Sequence, residues 1–135
     1  MQPVVGCDII ELSRIAESLD AFGDNYIREV FTDAEAAYCT GPHRVARLAA
    51  RFAAKEAVIK ALQIIEQPTP LNEIEIVHDR EIPTIRLHGS IAIIAAEQGF
   101  DHWSLSLSHA DCHAIAVAIG MKRPDPRTGA HTRDR

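Results

Sequence analysis

The chain has few means of holding itself together other than a packed core. Its three cysteines, Cys7, Cys39 and Cys112, are odd in number and show no CxxC spacing. Neither a disulfide framework nor a zinc site is supported, and all three read as small core residues. No apolar run approaches the roughly eighteen residues of a membrane span. No basic segment followed by an apolar one opens the chain, so an export signal is not expected and the cytoplasm is the default. Positive charge is scarce where a nucleic-acid binder would need it. There are 14 basic and 19 acidic residues, net -5; residues 122–135 hold five basic and two acidic ones, which leaves -8 for residues 1–121. Nucleic-acid affinity comes mostly from phosphate neutralisation, so any phosphate site here must be a local cluster of cations. Repeats and low-complexity tracts are also lacking.

What is present is an ordinary globular composition, 47% hydrophobic and 24% charged over 135 residues, enough for one domain with its own core. That domain is expected over residues 1–121. Residues 122–135 contain two prolines and no periodic apolar residue, and read as a flexible basic tail.

The stretch Arg51-Phe52-Ala53-Ala54-Lys55-Glu56-Ala57-Val58-Ile59-Lys60-Ala61-Leu62 organises the rest. Ala, Leu, Lys, Arg and Glu lose little entropy in a helix, and nothing in the stretch breaks one. Glu56 and Lys60 fall one turn apart on one side, one turn beyond Phe52. Arg44, Arg47, Arg51 and Lys55 recur at spacings of three and four, a second and basic stripe if the helix begins near Pro42. A carboxylate beside a row of cations suits a metal and phosphates; it equally suits a surface helix with one Glu-to-Lys pair and a solvated Lys55.

Along the chain, Val4, Val5, Ile9 and Ile10 flank Gly6-Cys7-Asp8 in a first strand. Asp8 is anomalous there, since a buried carboxylate must be hydrogen-bonded, paired or ligating a metal, and Gly6 permits close approach of another backbone or a ligand. Leu12, Ile15, Ala16 and Leu19 mark an amphipathic helix ended near Gly23. Tyr26 to Phe31 is another helical turn, and Thr32-Asp33-Ala34-Glu35 is a capping-box pattern opening a helix to about Cys39. Gly41-Pro42 separates it from the long helix, expected to reach Ile65. Two strands follow Pro68-Thr69-Pro70, with Glu73 and Glu75 on the polar face of the first and a turn at Asp79-Arg80-Glu81. Ser90 reads as the N-cap of a helix over 91–98, ended by Gly99. In the next strand Trp103, Leu105, Leu107 and His109 share one face and Ser104, Ser106 and Ser108 the other. Residues 111–113 turn it into a small-residue strand, Ala114 to Met121. The order predicts an α+β fold, a small antiparallel β-sheet packed on one long central helix with shorter helices around it.

Three pieces of the chain carry polar residues in apolar settings, and together they resemble one family. Gly6-Cys7-Asp8, Phe52 through Ala61 and Ser106-Leu107-Ser108-His109 match, in order and spacing, the GxD, FAxKEAxxKA and SxSH patterns of the holo-acyl-carrier-protein synthases, the short 4'-phosphopantetheinyl transferases. The resemblance covers residues 3–121 and implies the fold of that family. It implies transfer of 4'-phosphopantetheine from coenzyme A onto a serine of an apo acyl carrier protein of fatty acid or polyketide synthesis, releasing adenosine 3',5'-bisphosphate. Asp8 and Glu56 would then hold Mg2+ and, with Lys60, form the catalytic group. Arg51, Ser108 and His109 would contact coenzyme A, with Arg44 beside His43 a candidate for its 3'-phosphate and Arg14 the residue that docks the carrier. A homotrimer with sites between protomers is also implied. The residues leave the base open among a water at the site, Glu56 and a carboxylate brought by the carrier.

The chain departs from the family pattern in two places. Glu17, Asp20 and Asp24 follow Arg14 where further cations are common, which favours a less acidic carrier or a carrier domain of a multienzyme. Ala110 follows His109 where an acid is frequent, and Asp111 is given no role. Two other readings stay open at this point, a metal-dependent phosphohydrolase acting on nucleotides or coenzyme A, and an inactive homologue that only binds a carrier.

Overall fold

The computed structural model describes residues 1–65 and 67–124. Its elements follow the expected order: β1 (Gln2–Glu11), α1 (Leu12–Phe22), α2 (Asp24–Val30), α3 (Asp33–Tyr38), α4 (Arg44–Leu62), β2 (Ile74–Asp79), β3 (Ile82–Leu87), α5 (Gly89–Glu97), β4 (Phe100–His109) and β5 (His113–Lys122). Strands β1, β5 and β4 form one antiparallel sheet with β5 in the middle, and β2 and β3 form a second of two strands. The α+β class is as expected, but the strands divide between two sheets. No helix among the described residues is long and apolar enough to cross a membrane.

The core forms where α4 crosses the three-stranded sheet, and both surfaces are made of small residues. Ala49, Ala53, Ala54 and Ala57 on the helix and Ala114, Ala116 and Ala118 on β5 are completely buried. Small side chains on both sides let the backbones approach closely, and Gly6 carries this furthest. A Cβ added there would lie 1.8 Å from the carbonyl oxygen of Ala57, a contact that only a missing side chain permits. The strand that carries Asp8 is thereby pressed onto the helix that carries Glu56 and Lys60.

Helix α4 ends at Leu62, three residues before its expected limit. Gln63 takes a left-handed conformation (φ 56°) and its N–H bonds the Lys60 carbonyl at 3.1 Å, while the Ile64 N–H reaches back to Ile59 at 3.2 Å. These bonds satisfy carbonyls that the last turn leaves free.

At α3 the capping box is present as expected. The Glu35 N–H donates to the Thr32 hydroxyl at 3.2 Å and the Thr32 N–H donates to Glu35 Oε1 at 2.9 Å. Glu35 does more than cap. Its Oε1 accepts from Lys55 Nζ at 2.7 Å and its Oε2 accepts the Ile76 N–H at 3.1 Å, so one buried carboxylate joins α3, α4 and β2. Lys55 also donates to the carbonyls of Leu71, at 3.1 Å, and Ile74, so each of its three N–H bonds has a partner. Burial pulls its pKa down, against the opposing pull of Glu35. The alternative of a solvated Lys55 on a surface helix is thereby removed: it is a core residue.

Three other expectations are corrected. Glu75 is buried rather than solvent-facing, accepting from Thr32 Oγ1 at 2.9 Å and contacting His88 Nε2 at 3.0 Å, because α3 covers that side of β2. Ser90 does not cap α5; His88 holds that position, and the backbone N–H and hydroxyl of Ser90 both donate to the Glu73 carboxylate, at 2.7 and 2.8 Å. A carboxylate at a helix N-terminus is favoured by the helix dipole. Of the cysteines only Cys39 is buried, while Cys7 and Cys112 are exposed.

Strand β5 runs one residue past Met121, to Lys122, and Arg123 NH1 donates to Asp101 at 2.5 Å. The remainder of the expected tail, residues 125–135, lies outside the described residues.

Candidate active site

The predicted site residues fall into two groups on opposite margins of the three-stranded sheet. The first group forms where β1 meets α4. Lys60 Nζ donates to Asp8 Oδ1 and to the Cys7 carbonyl, each at 3.0 Å. This pairing answers the anomaly of a carboxylate in the first strand: Asp8 is largely covered yet has a cation beside it. The hydrogen bond to Asp8 in turn holds the Lys60 ammonium above its ordinary pKa. Glu56, one turn before Lys60, is half-buried. Burial pushes its carboxyl pKa up, the charge of Asp8 pushes it further, and Lys60 and Arg14 pull the other way. Arg14, exposed on α1, therefore borders the same group.

Among the described residues no three His, Cys, Asp or Glu side chains converge as a metal cage. Two carboxylates are nonetheless the complement that Mg2+ takes when phosphate oxygens and water complete its octahedron. The charge of Asp8 adds to the cost of ionising Glu56, and a hard cation held by the two would remove that cost. The donor set fits the ion.

The second group lines a pocket of about 170 Å³ formed by Tyr38, Arg47, Ala50, Arg51, His78, Leu107, Ser108 and His109. Arg51, Ser108 and His109 are thus brought together as the sequence suggests. Arg51 is only 2% exposed. Its NH1 donates to the Arg47 carbonyl at 3.1 Å and its NH2 meets His78 Nδ1 at 2.8 Å, while the buried Nε finds no partner among the described residues. A buried guanidinium N–H without an acceptor is costly unless a ligand supplies one. His109 also borders a neighbouring cleft of about 380 Å³ with Pro42, His43 and Asp111. Arg44 is exposed at the start of α4 and lines neither pocket.

The two groups are not contiguous within one chain. Asp8 pairs with Ala116 and Ala116 with Leu107 in one row across β1, β5 and β4, so Asp8 and the pocket wall lie two strand spacings apart, about 10 Å. On α4, Arg51 and Glu56 point about 140° apart.

Two pocket residues, Tyr38 and His78, were not singled out from the sequence. The Tyr38 ring stacks on that of His78, with centroids 4.6 Å apart and an 11° tilt, and the Arg51 guanidinium lies 4.6 Å from the Tyr38 centroid. One sequence signal for His78 was present: it shares a face with the buried Ile74 and Ile76 in β2, where a histidine is out of place unless something meets it.

The chain is similar to known proteins over most of its length. Residues 4–118 match the 4'-phosphopantetheinyl transferase superfamily. A holo-[acyl-carrier-protein] synthase of Herpetosiphon aurantiacus is 41% identical over 126 positions, covering 87% of this chain and 98% of its own. That of Leptospira biflexa is 43% identical, covering 89% and 97%. Among solved structures, a Chronobacterium ammoniagenes ACPS-CoA complex superposes with a TM-score of 0.80 at 29% identity, over 92% of this chain and all of that one. The Helicobacter pylori synthase in complex with coenzyme A gives 0.76 at 27%, over 87% and 99%. With a family match across most of its length and relatives this similar, the chain belongs to the 4'-phosphopantetheinyl transferase superfamily, among its holo-[acyl-carrier-protein] synthases.

Proposed function

We propose that this protein transfers the 4'-phosphopantetheine of coenzyme A to a serine hydroxyl of an apo acyl carrier protein in the cytoplasm, with Mg2+, releasing adenosine 3',5'-bisphosphate. The observation that carries this reading is the meeting of Asp8, Glu56 and Lys60 where β1 crosses α4. In the reaction the serine hydroxyl gives its proton to Glu56, a water at the site or a carboxylate of the carrier, its oxygen bonds to the β-phosphorus of the diphosphate, and the bond from that phosphorus to the bridging oxygen breaks. Negative charge then collects on the departing bisphosphate. Asp8 and Glu56 would hold Mg2+, which when bound supplies Lewis-acid neutralisation of the diphosphate. Lys60 carries three donors on a largely exposed stem, so it can leave Asp8 for a phosphate oxygen and stabilise the leaving group. Arg51, Ser108 and His109 would hold coenzyme A by its phosphate-bearing end, with Arg44, exposed outside both pockets, a candidate for its 3'-phosphate. Arg14 would receive the carrier, placing its serine beside Glu56.

The assay is direct. Incubated with coenzyme A, Mg2+ and several apo carriers, the protein should add one phosphopantetheine mass to a carrier, and Glu56→Gln should abolish the gain. Cleavage of coenzyme A at the same rate without any carrier would instead identify a phosphohydrolase, and binding without transfer a carrier-binding homologue.

A homotrimer with sites between protomers belongs to the same proposal. The sheet face turned away from α4 presents Val5, Cys7 and Ile9 on β1 against Ile115, Val117 and Ile119 on β5, and Val5 and Ile9 are each more than 60% exposed. A contiguous apolar face of this kind marks an association surface. The acids lie at the β1 margin of the sheet and the basic pocket at the β4 margin. A closed head-to-tail ring would set one margin against the other of the next copy. Light scattering should give three copies; a fully active monomer would refute it.

A further inference from the structure

The contact between Arg51 and His78 has only one chemical sense. A guanidinium offers five donors and no acceptor, so a nitrogen 2.8 Å from Arg51 NH2 must be an unprotonated acceptor. His78 is therefore a neutral imidazole with its proton on Nε2. Its surroundings keep it so. Burial lowers its pKa first, and the Arg51 and Arg47 charges lower it further. The ring is clamped flat against Tyr38, which also packs on Arg51, and the Arg47 carbonyl fixes the other terminal nitrogen of the same guanidinium. Three neighbours on two helices and one strand thus set the plane of one side chain, leaving its buried Nε without a partner among the described residues.

We propose that His78 is a positioning residue for the substrate pocket: its Nδ1 and the Tyr38 face hold the Arg51 guanidinium in one orientation in the pocket wall, where it meets an anionic group of coenzyme A. An arginine side chain has many rotamers, and its affinity for phosphate depends on geometry as much as on charge. Holding it in place before binding removes an ordering cost from the binding step. His78 lines the same pocket, but the role assigned to it acts through Arg51, so its effect belongs to coenzyme A affinity and not to turnover.

The inference rests on the reading of Arg51 as a coenzyme A contact, and the test separates the two. Coenzyme A affinity by calorimetry, and KM for coenzyme A and for carrier, are compared in wild type, His78→Phe, His78→Asn, Arg51→Ala and the double variant. His78→Phe keeps a flat ring on Tyr38 but has no acceptor; it should raise the coenzyme A KM about tenfold, the size of one hydrogen bond to a charged group, with kcat and the carrier KM unchanged. His78→Asn supplies an amide oxygen and should restore most of the affinity. With Arg51→Ala already present, His78→Phe should add nothing, as expected of residues acting through one another. Should the Phe variant fail to fold, His78→Leu serves the same comparison. An unchanged KM in His78→Phe, or a full additional loss on top of Arg51→Ala, overturns the positioning role alone. Wild-type affinity in Arg51→Ala overturns the role of Arg51 and the positioning role with it.

Discussion

Lys55 and Glu35 meet inside the core, Nζ to Oε1 at 2.7 Å, with neither side chain reaching solvent. Lys55 immediately precedes Glu56 on α4, about 100° round the helix, and the pair fixes that helix to α3 and β2. Its charges are fully hydrogen-bonded, so the desolvation of each is offset; removing one partner leaves the other charged and alone. Lys55→Met should cost about 3–5 kcal/mol in denaturant unfolding. A loss under about 1 kcal/mol, the scale of a surface pair, would show that the pair is not shielded as described.

A pH dependence follows from Glu75. Burial alone would raise its pKa, but hydrogen bonds from His88 and Thr32 outweigh burial and leave it below the ordinary value. A depressed carboxyl stabilises the fold above its unfolded pKa, about 4.3, and loses that contribution as pH falls through the lower folded value. Urea midpoints measured from pH 7 down to pH 3 should fall in the acid limb, and Glu75→Gln should flatten part of that fall. An acid limb identical in the two proteins would remove Glu75 from the account.

Arg14 is the one expected docking cation on α1, and Glu17, Asp20 and Asp24, which follow it in the chain, are exposed. Arg14→Ala should raise KM for the carrier several-fold, as the loss of one rim charge does, while KM for coenzyme A stays as it was. An unchanged carrier KM would move the docking surface elsewhere. The acidic neighbours further predict that a carrier with a weakly acidic recognition helix is modified faster than a strongly acidic one.

What the sequence makes legible here is what depends on neighbours along the chain. The Thr32–Glu35 box is a local geometry of four residues, and it is present. The alternation of Trp103, Leu105 and Leu107 with three serines is a property of any strand, and it assigns the faces of β4 correctly. The span of α4 follows from its composition to within three residues, and the family patterns lead to Asp8, Glu56 and Lys60, which the fold brings to one place. What is illegible depends on which distant segment covers a face. Lys55 looks like a member of a basic stripe until the Leu71 and Ile74 carbonyls and Glu35 arrive around it. Glu75 looks solvent-facing until α3 packs over β2, and Ser90 looks like a cap until Glu73 supplies a stronger one. His78 belongs to the same class, because its significance comes from Arg51, 27 residues earlier. Cys7 and Cys112 fail for a different reason: small apolar residues are compatible with a core but do not require one.

The central claim is that Asp8 and Glu56, brought together by the Gly6 contact with α4, act as one divalent-ion site facing coenzyme A. The measurement that tests it is coenzyme A affinity and transfer rate with and without saturating Mg2+, in wild type and in Glu56→Gln. The account predicts that Mg2+ tightens binding and switches on transfer in wild type and does neither in the variant. Equal affinity and equal turnover with and without the ion in wild type would contradict it.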